Sequence, residues 1–259
     1  MAGKILYNNL LRDASIVLHS MPLGFEPADC VDGRTSTFGK FAATSGVNSA
    51  ITYNLGAQKT FDSIAIARHN FGSNTFMSVL GSNNGVDYTH IENSYNSFDE
   101  KNLYLDLGSQ TYQYVQFALR DDTQEMTWAD VFIGPSLDLE RSQPHGFTRP
   151  GLSDGDQIIS NVTRGKELAG LTIKPGVDRA VFTMPLYSSA WLSEWRALRD
   201  TMKIYPIYII WDTTRSETPF TGGEPAFYCW PTKSLPAPKY SKNINGYYDI
   251  RFDMSGFWR

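Results

Sequence analysis

The 259-residue chain carries 23 Lys/Arg against 27 Asp/Glu, a net charge of −4, with 14% aromatic residues, 21 Gly and 13 Pro. This length suits two domains of roughly 100–150 residues, and the apolar and turn-forming content excludes a disordered chain. The absence of a Lys/Arg cluster argues against nucleic acid as a partner. No apolar run reaches the ~20 residues of a membrane helix, and residues 1–6 lack a secretory apolar core, so a soluble, cytoplasm-made protein without membrane insertion is expected.

The charge is uneven: residues 1–148 hold 9 Lys/Arg and 16 Asp/Glu, whereas residues 149–259 hold 14 and 11. Opposite signs suit two halves that dock, or copies that meet head to tail. Cys30 and Cys229 stand far apart and read as buried thiols rather than a disulfide.

In chain order, residues 5–20 mix Leu10, Leu11, Ile16, Val17 and Leu18 with polar positions and predict a short turn or helix followed by a strand. Pro27 to Phe38 is a tight polar loop. It reads either as a self-bonded Asx turn at Asp32-Gly33 or as a cation loop in which Asp32 and the Thr35 and Thr37 hydroxyls converge. Ile51, Tyr53 and Leu55 then alternate with polar residues up to Gly56, which is expected to stop the strand; Ile64 and Ile66 repeat the pattern. Met77–Gly81 and Tyr88–Ile91 flank Asn84-Gly85 as a hairpin. Leu103–Gly108, Tyr112–Leu119 and Trp128–Gly134 complete a run of short strands without a helix, which is the pattern of an all-β sandwich.

Taken together, Asp32-Gly33-Arg34-Thr35-Ser36-Thr37-Phe38, Ile51–Gly56, Ile64-Ala65-Ile66, Ser82–Tyr88, Tyr114–Phe117 and Ala129–Gly134 resemble, in that order, a discoidin domain, the galactose-binding-like jelly roll of coagulation-factor C domains and many carbohydrate-binding modules. The resemblance covers about residues 1–140. It implies a sandwich whose end loops bind glycans, lipid headgroups or proteins, with a structural calcium. Asp32 and Thr37 fall where that family supplies cation ligands, and Asp130 where it commonly has Glu. The Trp that usually follows the Thr is replaced here by Phe38. Sugar binding needs an exposed aromatic among planar polar groups. Phe38, Arg68, His69, Asn70 and Phe71 supply those types, against the alternative that the aromatics anchor their loops in the core.

Residues 141–156 have linker composition, and the boundary falls near residue 145. Gly151-Leu152-Ser153-Asp154-Gly155 matches a nucleophile-elbow pattern but lacks its strand, its helix and a downstream His. Residues 157–163 and 168–174 form a predicted hairpin, and 179–184 another strand. Trp191, Trp195, Leu198 and Met202 then share one face of a helix over about 189–203, capped by Ser188 or Ser189. Ile207–Asp212 reads as a strand buried on both faces. A loop over 213–225, short strands at 227–230 and 247–254 and a Pro-rich connection follow. In element order this half resembles the tail-tube-like modules of bacteriophage tails.

No metal-binding Cys/His spacing, phosphate loop or nucleophile–base pair occurs, which points to a binding or structural protein rather than an enzyme. Asp121-Asp122 read as solvated turn residues. The expectation is an all-β chain with one helix: a jelly-roll sandwich at 1–140 and a helix-flanked β domain at 157–259. Functionally, the resemblance implies a virion subunit of a phage tail tip or baseplate, assembled in the host cytoplasm. Its C-terminal half forms a ring with copies of itself and meets other tail proteins, while the first half contacts a partner or a surface glycan. The alternative is a monomeric, calcium-dependent carbohydrate-binding protein, with a carbohydrate-active enzyme behind it.

Overall fold

A computed structural model describes residues 3–42, 49–72, 74–95, 102–140, 157–162, 168–174, 178–210, 226–240 and 246–257. The expected linker at 141–156, the Gly151–Gly155 pattern, the loop at 213–225 and the tip of the 157–174 hairpin lie outside the described residues. The strands are β1 Lys4–Leu6, β2 Ser15–His19, β3 Gly39–Phe41, β4 Ser49–Ala67, β5 Phe76–Ser82, β6 Thr89–Tyr95, β7 Leu103–Arg120, β8 Met126–Trp128, β9 Asp130–Gly134 and β10 Ser136–Asp138. Then come β11 Gln157–Val162, β12 Leu168–Lys174, β13 Asp178–Ser188, helix α1 Trp191–Met202, β14 Ile207–Ile210, β15 Ala226–Pro231, β16 Lys239–Tyr240 and β17 Tyr247–Phe257. The chain is all-β with one helix.

In the first half, a sheet ordered β2-β4-β7-β5-β6, with β9 also on β4, faces the two-stranded β3–β8 sheet. Trp128 of β8 joins them, its ring 5.0 Å from Phe41 of β3 and 5.4 Å from Phe117 of β7. Two strand boundaries differ from expectation. Gly56 does not stop its strand, and β7 runs through Gly108: both glycines take positive φ (79° and 61°), and the β4–β7 ladder shifts register between Asn54 and Lys59. Bulges there bend one long ribbon where the sequence suggested two pairs of strands. Conversely, Trp128–Gly134 is two strands, because Ala129 crosses to the larger sheet and donates its N–H to Ala67.

The second sheet runs β10-β1-β14-β15-β17-β13. Two of its strands come from the first 140 residues: β1 pairs with both β10 and β14. The two halves are therefore hydrogen-bonded into a shared sheet. The alternation of β14 serves both sides. Ile207 and Ile209 pack with Trp191, Trp195, Leu198 and Met202 of α1, while Tyr208 and Ile210 pack with Ala65, Ala67, Tyr104 and Phe132 of the first half. Small Ala65 and Ala67 let the two layers approach closely. Neither Ser188 nor Ser189 caps α1 by a side-chain bond; Ser188 instead donates its backbone N–H (2.8 Å) and its hydroxyl to Glu140, just beyond β10.

Asn102 fastens the seam. It is 4% exposed, donates Nδ2–H to the Phe257 carbonyl (2.7 Å) and accepts the Arg68 N–H (3.3 Å). Asn102→Ala is expected to destabilise the fold by about 1–3 kcal/mol, read from the urea midpoint, because a part-buried carbonyl and a backbone N–H lose their partner.

Candidate functional site

The loop after the 3-10 turn Pro27–Cys30 is held by its own polar groups. Asp32 Oδ1 accepts the Arg34 N–H (2.7 Å) and Oδ2 accepts the Thr37 hydroxyl (2.8 Å), which closes the turn. Gly33 takes φ +76°, and a Cβ there would lie 3.0 Å from Pro206 Cδ, so the tip of the turn requires glycine and rests on the second half of the chain.

Asp130 opens β9, fully buried beneath this loop. Its Oδ1 accepts the Gly33 N–H (3.3 Å); the Tyr208 hydroxyl is shared between Oδ2 (3.3 Å) and the Asp130 carbonyl (3.1 Å). Burial pushes the Asp130 carboxyl up to about 7, opposed by the nearby Arg12 guanidinium and the Gly33 and Tyr208 bonds, and assisted by Asp32. Burial likewise drives the Tyr208 and Tyr228 hydroxyls well above their ordinary range, with Asp130 adding to both. Arg12 lies 3.9 Å over the Tyr205 ring.

The structure thus brings Asp32, Thr37 and Asp130 to one place. The four carboxylate oxygens of the two acids each accept an N–H or O–H, so the loop has internal partners for its acids. Among the described residues no group of three or more His, Cys, Asp or Glu could hold a metal ion. The positive charge beside Asp130 is that of Arg12.

The five residues selected for ligand contact separate. Phe71 is buried in the core, its ring 4.6 Å from that of buried His69, whose Nδ1 accepts the Phe71 N–H. Asn70 spends its amide on β8: it donates to the Glu125 carbonyl and accepts the Thr127 N–H. Arg68, at a positive φ (49°) unusual for a residue with a side chain, sets its guanidinium 5.1 Å over the Phe257 ring, with Nη1 3.5 Å from the Thr35 carbonyl. It joins the loop to β17. Phe38 stays 42% exposed, 5.7 Å from the ring of Phe25. Lys40 Nζ lies 5.4 Å from the Phe25 ring and 2.6 Å from a Glu125 oxygen. Asp121, expected as a solvated turn residue, is buried and accepts the N–H groups of Thr123 and Gln124 and the hydroxyls of Thr75 and Thr123.

Sequence reading missed Phe25, Lys40, Arg12 and Tyr208. A Gly-Lys-Phe strand or an Arg after Leu11 carries no signal of its own; only the fold assembles these side chains.

No protein-family model and no curated protein matches the sequence. Among solved structures, the chain is similar to the Clostridium perfringens module CpGH89CBM32-6, at 17% identity and a TM-score of 0.41, over 49% of this chain and 99% of that one. It is similar also to chitosan-binding module 1 from a chitosanase/glucanase of Paenibacillus sp. IK-5, at 17% identity and a TM-score of 0.42, over 49% and 98% of the two chains. These neighbours are carbohydrate-binding modules. With TM-scores below 0.5, the functional reading rests on this chain's own geometry.

Proposed function

We propose that the protein is a non-catalytic binding protein whose first half contacts glycan through the Phe25–Phe38 platform. The observation that carries this is the exposure of Phe38. Phe41, Phe61, Phe71, Phe117 and Trp128 of the sandwich are at most 1% exposed and Phe76, Tyr88, Tyr112 and Tyr114 are half-buried, whereas Phe38 stays open beside Phe25 with the Lys40–Glu125 ion pair at the platform's edge. A sugar ring lays its C–H face on such a surface while the ammonium and carboxylate bond its hydroxyls. Phe38→Ala is expected to weaken glycan binding about tenfold, with melting unchanged because little packing is lost. A glycan array followed by titration of the best hit measures this; a blank array, or equal affinity in the variant, counts against the reading.

A second reading, a ring-forming virion subunit of a phage tail tip or baseplate, draws on the edges of the second sheet. Its outer strands β10 and β13 lie at opposite sides, and Val181 on β13 is 42% exposed. Edge-to-edge addition of copies with oppositely charged halves would close a ring. The partners would then be copies of the chain and neighbouring tail proteins. Mass measurement in solution tests it, and a strict monomer at high concentration counts against it.

A further inference from the structure

We propose that a cleft on the second half, separate from the Phe38 platform, binds an acidic saccharide. The cleft has a volume of about 760 Å³ and lies where the end of α1 meets the end of β15, with Gly33 of the first half on its rim. This is within the ~300–1,000 Å³ range of small-ligand sites. Its walls supply two kinds of group. Trp230 and Tyr205 present aromatic rings, each braced from behind: Trp230 by Phe257 at 5.5 Å and Tyr205 by Arg12 at 3.9 Å. Arg199, Lys203 and Lys233 present positive charge, and the lining includes no Asp or Glu.

Counter-charges stand nearby. Asp200 lies 2.6 Å from Lys203 Nζ and 3.7 Å from Arg199 Nε, and Asp253 lies 3.4 Å from Lys233 Nζ. The two lysine side chains are 58% and 78% exposed, so these pairs are weak and exchange readily for a ligand carboxylate. The C-terminal end of α1 adds only about half a negative charge, which three cations outweigh.

The chemistry favours a sugar over a peptide. Pro206 and Pro231 line the cleft, so the backbone there offers no N–H ladder to which a peptide strand could add. Rings and mobile ammonium groups instead suit a pyranose bearing a carboxylate. A second cleft of about 380 Å³ shares Lys233, Ser234 and Leu235 and carries Lys239 and Arg251 but also Asp249 and Asp253, which gives room for further sugar units, with the acid group held in the first cleft.

Isothermal titration of the full chain with tetragalacturonate, with its methyl ester and with a poly-glutamate peptide tests the proposal. The acid oligosaccharide is expected to bind, and the ester about tenfold more weakly or not at all. Lys203→Ala with Lys233→Ala should lower affinity about tenfold and flatten its salt dependence, since both lysines are exposed and leave the fold intact. Trp230→Ala should abolish binding; Trp230→Phe, which keeps the packing on Phe257, should retain part of it. Phe38→Ala should leave it unchanged, which separates this site from the platform. Equal affinity for ester and acid, tighter binding of poly-glutamate, or indifference to the Lys203 and Trp230 variants would overturn it.

Discussion

Asp130→Asn is expected to remove a loss of stability on the order of 4 kcal/mol that the native protein suffers as pH rises from about 4 to about 7. The folded carboxyl titrates near 7 against an ordinary 3.8, because full burial disfavours its charge more than Arg12, Gly33 and Tyr208 favour it. Between those values the unfolded chain has released this proton and the folded chain still holds it. The contribution is therefore complete below the unfolded value and is lost as pH rises through the folded one. Asparagine carries no charge at any pH, can still accept the Gly33 N–H, and makes this part of the profile flat. Urea midpoints of both proteins from pH 4 to 8 check it: the variant should gain on the native chain as pH rises, and parallel profiles would show that Asp130 does not titrate in this range.

Gly256→Ala is expected to cost roughly 3 kcal/mol or more, in the upper range for overpacking, because the atoms in the way are backbone. A Cβ at that position would lie 2.1 Å from the Tyr228 carbonyl oxygen and 2.7 Å from Cys229 Cα. Strand β17 carries both the β13 and β15 ladders, and Phe257, one residue on, offers the carbonyl that Asn102 holds across the seam. Prising β15 from β17 therefore disturbs the layer on which the first half rests. Calorimetry should show a single transition moved to lower temperature; an unshifted melt, or a shift in only one of two transitions, would mean that the shared sheet does not couple the halves.

Much of the fold was legible in the periodicity. Period-2 runs at Ile51–Leu55 and Tyr114–Phe117 mark strands, and the Trp191, Trp195, Leu198, Met202 spacing marks the helix, whose four residues are all buried; the Ile64–Ile66 run, expected to bury one face, is buried on both, because Ala65 and Ala67 pack against the second sheet. The apolar run at 207–210 was readable as a doubly buried strand, and it proves to lie between the two halves. Less of the site was legible. Residue type made Phe38 and Phe71 equal candidates for stacking, yet one is open and the other sealed in the core. Side-chain exposure depends on which strand crosses behind it, and sequence spacing does not record that.

What the sequence determined by itself is therefore local: strand and helix periods, a tight polar turn at Asp32-Gly33 and two cysteines that read as buried thiols, as both prove to be. Only the tertiary structure decided that β1 and β10 leave the first half to complete the second sheet, and that Asp130 meets Gly33 and Tyr208. It also decided that Trp230, Tyr205, Lys203 and Lys233 share one cleft. Local patterns arise from backbone geometry over a few residues, whereas these juxtapositions follow from contacts between positions up to two hundred residues apart in the chain, set by how the apolar faces of the two sheets find each other.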